Sequence, residues 1–86
     1  MWIRSQGKAL LIDADRFFVD EESDGRSSIY VNGNPVASYS THERAMKVMD
    51  MIEDTILKCE AMRTGYAEYD FGAFVFDMPD DKDVEV

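Results

Sequence analysis

The run Tyr39-Ser40-Thr41-His42-Glu43-Arg44-Ala45-Met46-Lys47-Val48-Met49-Asp50-Met51-Ile52, continued without glycine or proline to Arg63 and closed by Gly65, decides the fold. Ala45, Val48, Met49, Ile52, Ile56 and Cys59 recur at helical spacing and form one apolar stripe. Ser40 followed by Glu43 has the spacing of a capping box, and Gly65 suits the residue just past a helix end. Glu43 with Lys47 and Asp54 with Lys58 are i,i+4 pairs of the favourable polarity. The spacing predicts an amphipathic helix over about residues 40–63.

On the N-terminal side of this helix the apolar runs are short and the punctuation dense. Trp2-Ile3, Ala9 to Ile12, Arg16 to Asp20, Ser27 to Asn32 and Val36 to Tyr39 are too brief for helices and rich in β-branched and aromatic residues. Asp24-Gly25 and Asn32-Gly33 supply the positive-φ residues of tight turns. Pro35 cannot donate to a ladder and belongs at a strand start or an edge. Beyond the helix, Ala73 to Phe76 reads as a last strand, ended by Met78-Pro79. The expected class is α+β: a mainly antiparallel meander sheet of four to six short strands, with one helix across one face. Residues 1–79 are expected to form one domain and residues 80–86 a disordered acidic tail.

The chain has 86 residues, 18 acids, 9 bases and a net charge of −9. Five of the acids lie between Asp77 and Val86 against Lys82 alone. Such a surface repels phosphate backbones and argues against direct nucleic-acid binding, while suiting a basic protein partner. The same acidity also keeps a small protein in solution. The clusters Glu21, Glu22, Asp24 and Asp80, Asp81, Asp83 are the candidate partner surface. No apolar run is long enough to span a bilayer and the N-terminus lacks a signal-peptide core, so a cytoplasmic location is expected.

Catalytic and metal constellations are missing from the pattern. No acidic stretch has the ligand order of a calcium loop, and no cofactor motif is present. Cys59 is the single cysteine and His42 the single histidine. They lie at opposite ends of the expected helix, roughly 25 Å apart, too far to work as a nucleophile and base. An enzyme is therefore not expected. The chemically suggestive ligand-binding residues are Trp2, Arg4, Ser5 and Gln6 near the N-terminus and Tyr39, Thr41, His42 and Arg44 at the helix start. A helix N-terminus attracts anions, and arginine forks suit phosphate or carboxylate. Were Arg4 and Arg44 to meet, they would make a local basic pocket. Met46, Met51 and Met62 flank the apolar stripe and offer a surface through which two copies could pair.

Three segments carry a resemblance. Met1-Trp2-Ile3-Arg4-Ser5-Gln6, Tyr39-Ser40-Thr41-His42-Glu43-Arg44-Ala45 and Phe76-Asp77-Met78-Pro79-Asp80 resemble, in order, the opening M-W-I-R-S-Q, the central Y-S-T-x-E-R-A and the closing aromatic-x-M-P-acid pieces of a group of short uncharacterised proteins. These proteins occur in phages, prophages and mobile elements of Gram-positive bacteria. Gly7 departs from the acidic or amide residue usual there, and Gly65 to Gly72 is insertion-like. The resemblance implies a context, not a chemistry: a small accessory protein, often one that counters host defence by binding. Three functional expectations follow. The first is a non-catalytic blocker of a host immunity protein, the second a sponge for a nucleotide-derived immune signal, the third a structural interaction module of a mobile element.

Overall fold

The computed structural model describes residues 1–65 and 75–86, with side chains given as far as Glu60 on the helix. Among the described residues six short strands, β1 (Trp2–Arg4), β2 (Leu11–Asp13), β3 (Phe17–Glu21), β4 (Ser27–Val31), β5 (Asn34–Tyr39) and β6 (Val75–Asp77), accompany one α-helix, α1 (His42–Gly65). This is the expected α+β class with a single helix packed on a sheet. The strands divide between two three-stranded sheets, ordered β2-β1-β6 and β3-β4-β5. Three of the four pairings are antiparallel, and β1 with β6 is parallel. The chain leaves the first sheet at Asp13 and enters the second at Phe17, so the run from Arg16 is a separate strand.

The meander β3-β4-β5 follows from its turns. Asn32 and Gly33 adopt φ of 51° and 85°, so a two-residue turn joins Val31 directly to its partner Asn34. Positive φ at both central residues is the signature of the hairpin turn whose twist matches the strands. Asn32 does a second job. Its Oδ1 accepts the N–H groups of Asp15 and Arg16 at 2.9 and 3.0 Å, and its Nδ2 donates to Asp13 O at 2.8 Å. One side chain thus clamps the link between the two sheets. At the other hairpin, Gly25 has φ of 89° and Asp24 Oδ1 accepts the Arg26 N–H at 3.0 Å, an Asx turn.

The helix lies on the inner face of β3-β4-β5, where Ala45, Val48 and Ile52 are fully buried with Ile29, Val31, Ala37 and Tyr39. Met49, Ile56 and Cys59 are half-buried. The helix starts at His42, and its N-cap is Thr41 and not Ser40: the Arg44 N–H donates to Thr41 Oγ1 at 3.1 Å. Ser40 is drawn away by a tertiary partner described below. Asp54 and Lys58 form the expected i,i+4 pair at 2.9 Å. Met46 and Met51 are 42% and 41% exposed. They are about 140° apart around the helix axis, on opposite flanks of the stripe. The side chain of Met62, and Ala73 and Phe74 of the expected last strand, lie outside the described residues.

The expectation of a disordered acidic tail is corrected by its first half. Asp81–Asp83 form a 3-10 turn, and Val84 is buried at 5% exposure within the main core. An apolar valine five residues past Pro79 gives the acidic segment an anchor, and Met78 itself is 1% exposed. Burying a valine is worth about 1.5–3 kcal/mol, enough to offset ordering a few backbone residues in part. Glu85 and Val86 are exposed.

Candidate functional site

The N-terminal segment, the end of β5 and the C-terminal segment meet along one edge of the second sheet. The hydrogen-bond phase of that sheet explains the meeting. Glu22 N–H donates to Arg26 O at 2.7 Å and Asn32 N–H to Arg16 O at 2.9 Å. With Phe18 opposite Tyr30 and Asp20 opposite Ser28, the even-numbered residues of β3 therefore bond to β4. The odd-numbered residues of β4 consequently face β5, where Ser27 opposes Tyr39 and Ile29 opposes Ala37. Backbone groups at positions 36, 38 and 40 are left pointing off the outer edge of β5.

The chain itself supplies partners for four of these groups. Gln6 N–H donates to Val36 O at 2.8 Å. The Gln6 side-chain amide then acts as a strand residue would: Oε1 accepts the Ser38 N–H at 3.0 Å and Nε2 donates to Ser38 O at 3.2 Å. Its second N–H reaches Pro79 O at 3.1 Å. The Ser40 N–H and hydroxyl both donate to Asp81 Oδ1, at 2.8 and 3.1 Å. Tyr39 is fully buried and its hydroxyl donates to Pro79 O at 2.7 Å. Burial, with Asp80 and Asp81 nearby, pushes the Tyr39 phenol well above its usual range. The Ser40 N–H above all, then the Ser40 hydroxyl and the Arg44 and Arg26 charges, holds the Asp81 carboxyl below the usual carboxylate range.

The sequence-selected ligand residues are thereby accounted for one by one. Gln6 and Tyr39 are edge and core links. The buried hydroxyl of Ser5 accepts the Leu10 N–H at 3.1 Å and closes the β1–β2 turn. Thr41 is the helix N-cap, and Nδ1 of the exposed His42 lies 3.3 Å from Oγ of the buried Ser27. Arg44 donates to Ser40 Oγ at 3.1 Å and lies 3.9 Å from Asp81, while Arg4 lies 3.8 Å from Asp77 and donates to Lys8 O. The two arginines engage different carboxylates and share no pocket. Trp2 is half-buried on the outer face of the first sheet, opposite Ile3, between Asp13 and Val75. Beside the helix start the Asp81 carboxylate is held by Ser40, the residue before the N-cap, and faces the Arg44 guanidinium. Two cavities, of about 340 and 440 Å³, lie elsewhere, the first against Phe17, Ile56 and Cys59 and the second against Arg16, Phe18 and Gly33. Among the described residues no three histidine, cysteine or acidic side chains are placed to hold one metal ion.

The acidic candidates behave differently. Ser28 Oγ donates to Glu22 Oε1 at 2.7 Å, Ser38 lies across from Ser28, and Arg26 Nε donates to Ser38 Oγ at 3.2 Å. Through Ser38 and Ser40 the β3–β4 turn and the C-terminal segment sit side by side. Glu21, Glu22 and Asp24 thus share one end of the molecule with Asp80, Asp81, Asp83 and Glu85. The side chains of Glu21, Asp80, Asp83 and Glu85 are exposed and enter no ion pair or side-chain hydrogen bond among the described residues. The reading of the sequence named no apolar feature on this sheet's outer face. The structure stacks Phe18 on Tyr30 there, ring centroids 4.9 Å apart, with Phe18 45% exposed. The adjacent pair Phe17-Phe18 was the available signal, because neighbouring residues of a strand face opposite sides.

Among the described residues no helix is long and apolar enough to cross a membrane. Comparison with family models, curated proteins and solved structures found no match to this chain.

Proposed function

We propose that this chain is a non-catalytic accessory protein of a phage, prophage or mobile element, acting in the bacterial cytoplasm by binding a host immunity protein through its acidic end. The observation that carries the proposal is the convergence of two acidic segments, about 60 residues apart in sequence, on one end of the fold. Several of those carboxylates have no partner within the described chain, so they project a field that steers a basic surface into contact. On the outer face of the same sheet, toward the Asn32-Gly33 turn, the exposed Phe18–Tyr30 stack offers the aromatic anchor around which interface energy concentrates. Sequestration of a nucleotide-derived signal rests on Gln6, Tyr39 and Arg44, and the internal hydrogen bonds of those residues favour the first reading over it.

The test is a plating assay. Bacteria carrying individual defence systems are challenged with phage, with and without the protein. The wild-type protein should restore plating in at least one defended host. A variant with Glu21, Asp80, Asp83 and Glu85 changed to lysine, which spares the structural Asp81, Glu22 and Asp24, should keep its circular dichroism and lose that effect. Equal activity of the variant would sink the electrostatic reading. Restoration in no defended host would favour the structural-module reading, and a calorimetric response to cyclic nucleotides or ADP-ribose derivatives would favour the sponge.

A further inference from the structure

The two edges of the meander sheet are treated in opposite ways. On β5, Val36 O, both backbone groups of Ser38 and the Ser40 N–H are bonded by Gln6 and Asp81, and Pro35 removes a further donor. On β3, the same alternation points the N–H and C=O groups of Phe17, Val19 and Glu21 away from β4. Among the described residues no strand pairs with that side. A five-residue edge strand with unpaired groups is a template for one more strand.

We propose that the outer edge of β3 takes an extended basic segment of the partner protein as a fourth strand. This rests on the acidic-end reading and supplies its mode of contact. The occupant follows from charge. Asp20 and Glu21 lie within β3 and Glu22 and Asp24 in the turn that follows, all exposed. A second copy of this chain, itself at net charge −9, is repelled there. A lysine- or arginine-bearing strand is attracted, and its outward side chains would lie beside the Phe18–Tyr30 stack, where an aliphatic stem or a cation packs on an aromatic face. Main-chain bonds to Phe17, Val19 and Glu21 would set the register.

The experiment is residue-resolved amide exchange by NMR on the full chain, using a ten-residue peptide of alternating lysine and valine as probe. In the free protein the Val19 and Glu21 amides should exchange quickly, and those of Phe18 and Asp20, bonded to β4, slowly. Saturating peptide should slow Val19 and Glu21 by about tenfold or more, while Glu21→Gln retains the protection and Glu21→Pro, which removes only an outward N–H, abolishes it with the fold intact. Resonance shifts confined to residues 22–24 and 80–85, without protection of Val19 and Glu21, would overturn strand addition and leave the acidic-end reading standing. No shift anywhere would also overturn strand addition, while the plating assay judges the broader reading separately. Protection of Val19 and Glu21 without peptide, rising with protein concentration and lost in Glu21→Pro, would identify a second copy as the occupant and overturn the proposal.

Discussion

Asp81 Oδ1 accepts both the backbone N–H and the hydroxyl of Ser40, at 2.8 and 3.1 Å, across 41 residues of sequence. This carboxylate caps the β5 edge and fastens the C-terminal segment beside the helix start. Its folded-state ionisation lies below the ordinary carboxylate range, chiefly through the Ser40 N–H. A lowered folded pKa contributes stability that is fully present above the unfolded value, about 3.9, and is lost as pH falls through the folded value. Thermal melts between pH 7 and pH 2 should therefore show wild type losing stability below about pH 4. Asp81→Asn should melt lower than wild type at pH 7, with the gap closing in that acid window. A gap constant with pH would show that the ionised form is not the stabilising one.

Gln6 is the other edge cap, and its truncation leaves more behind. In Gln6→Ala the Ser38 N–H and Ser38 O lose their partner in a part-buried setting, while Pro79 O keeps the Tyr39 hydroxyl. Each unsatisfied group costs about 1–3 kcal/mol where water cannot reach it, and partial access here points to a loss of about 2–3 kcal/mol in total. Gln6→Glu should be worse than Gln6→Ala, because it keeps the acceptor but sets a carboxylate against two carbonyl oxygens. Urea midpoints at constant slope measure both. Ser38→Ala, which loses only the Arg26 contact, should stay within about 0.5 kcal/mol of wild type.

Local patterns in the sequence exposed local structure, and little beyond it. The helix was legible because Ala45, Val48 and Ile52 repeat at 3.6-residue spacing, and the Asn32-Gly33 hairpin because its chemistry is contained in two residues. The helix cap was misplaced by one residue because Ser40 and Thr41 are both competent, and the choice between them is made by Asp81. The Gln6 and Asp81 edge caps span 32 and 41 residues, and the parallel pairing of β1 with β6 joins the two ends of the chain. No periodicity encodes such contacts. The acidic segments were visible singly, but their placement on one end depends on those same caps.

Asn32 combines a turn conformation with a clamp, and substitutions separate the two. Asn32→Gly keeps the positive φ and loses the three hydrogen bonds to Asp13, Asp15 and Arg16, for a cost of about 1–2 kcal/mol at this exposed site. Asn32→Ala loses the clamp and also places a Cβ in the left-handed region, adding about 1 kcal/mol. Equal midpoints for the two variants would show that the turn strain is relieved by local rearrangement.

The turn between β1 and β2 places a lysine in the left-handed region. Lys8, not Gly7, has a positive φ, of 68°. A Cβ added at Gly7 meets nothing within 4 Å, so an acidic or amide side chain there is sterically free. Gly7→Asp and Gly7→Asn should leave the urea midpoint within about 0.5 kcal/mol of wild type. Lys8→Gly should be stabilising by about 0.5–1 kcal/mol, because relief of left-handed strain outweighs the added freedom of the unfolded chain. The accompanying loss of the exposed contact from Lys8 Nζ to Asp77, 3.5 Å long, subtracts little from that gain. If Lys8→Gly lowered the midpoint instead, the Lys8–Asp77 pair would have to be holding the β6 end against β1, and Asp77→Asn, which also loses the Arg4 contact, would then lower it at least as much.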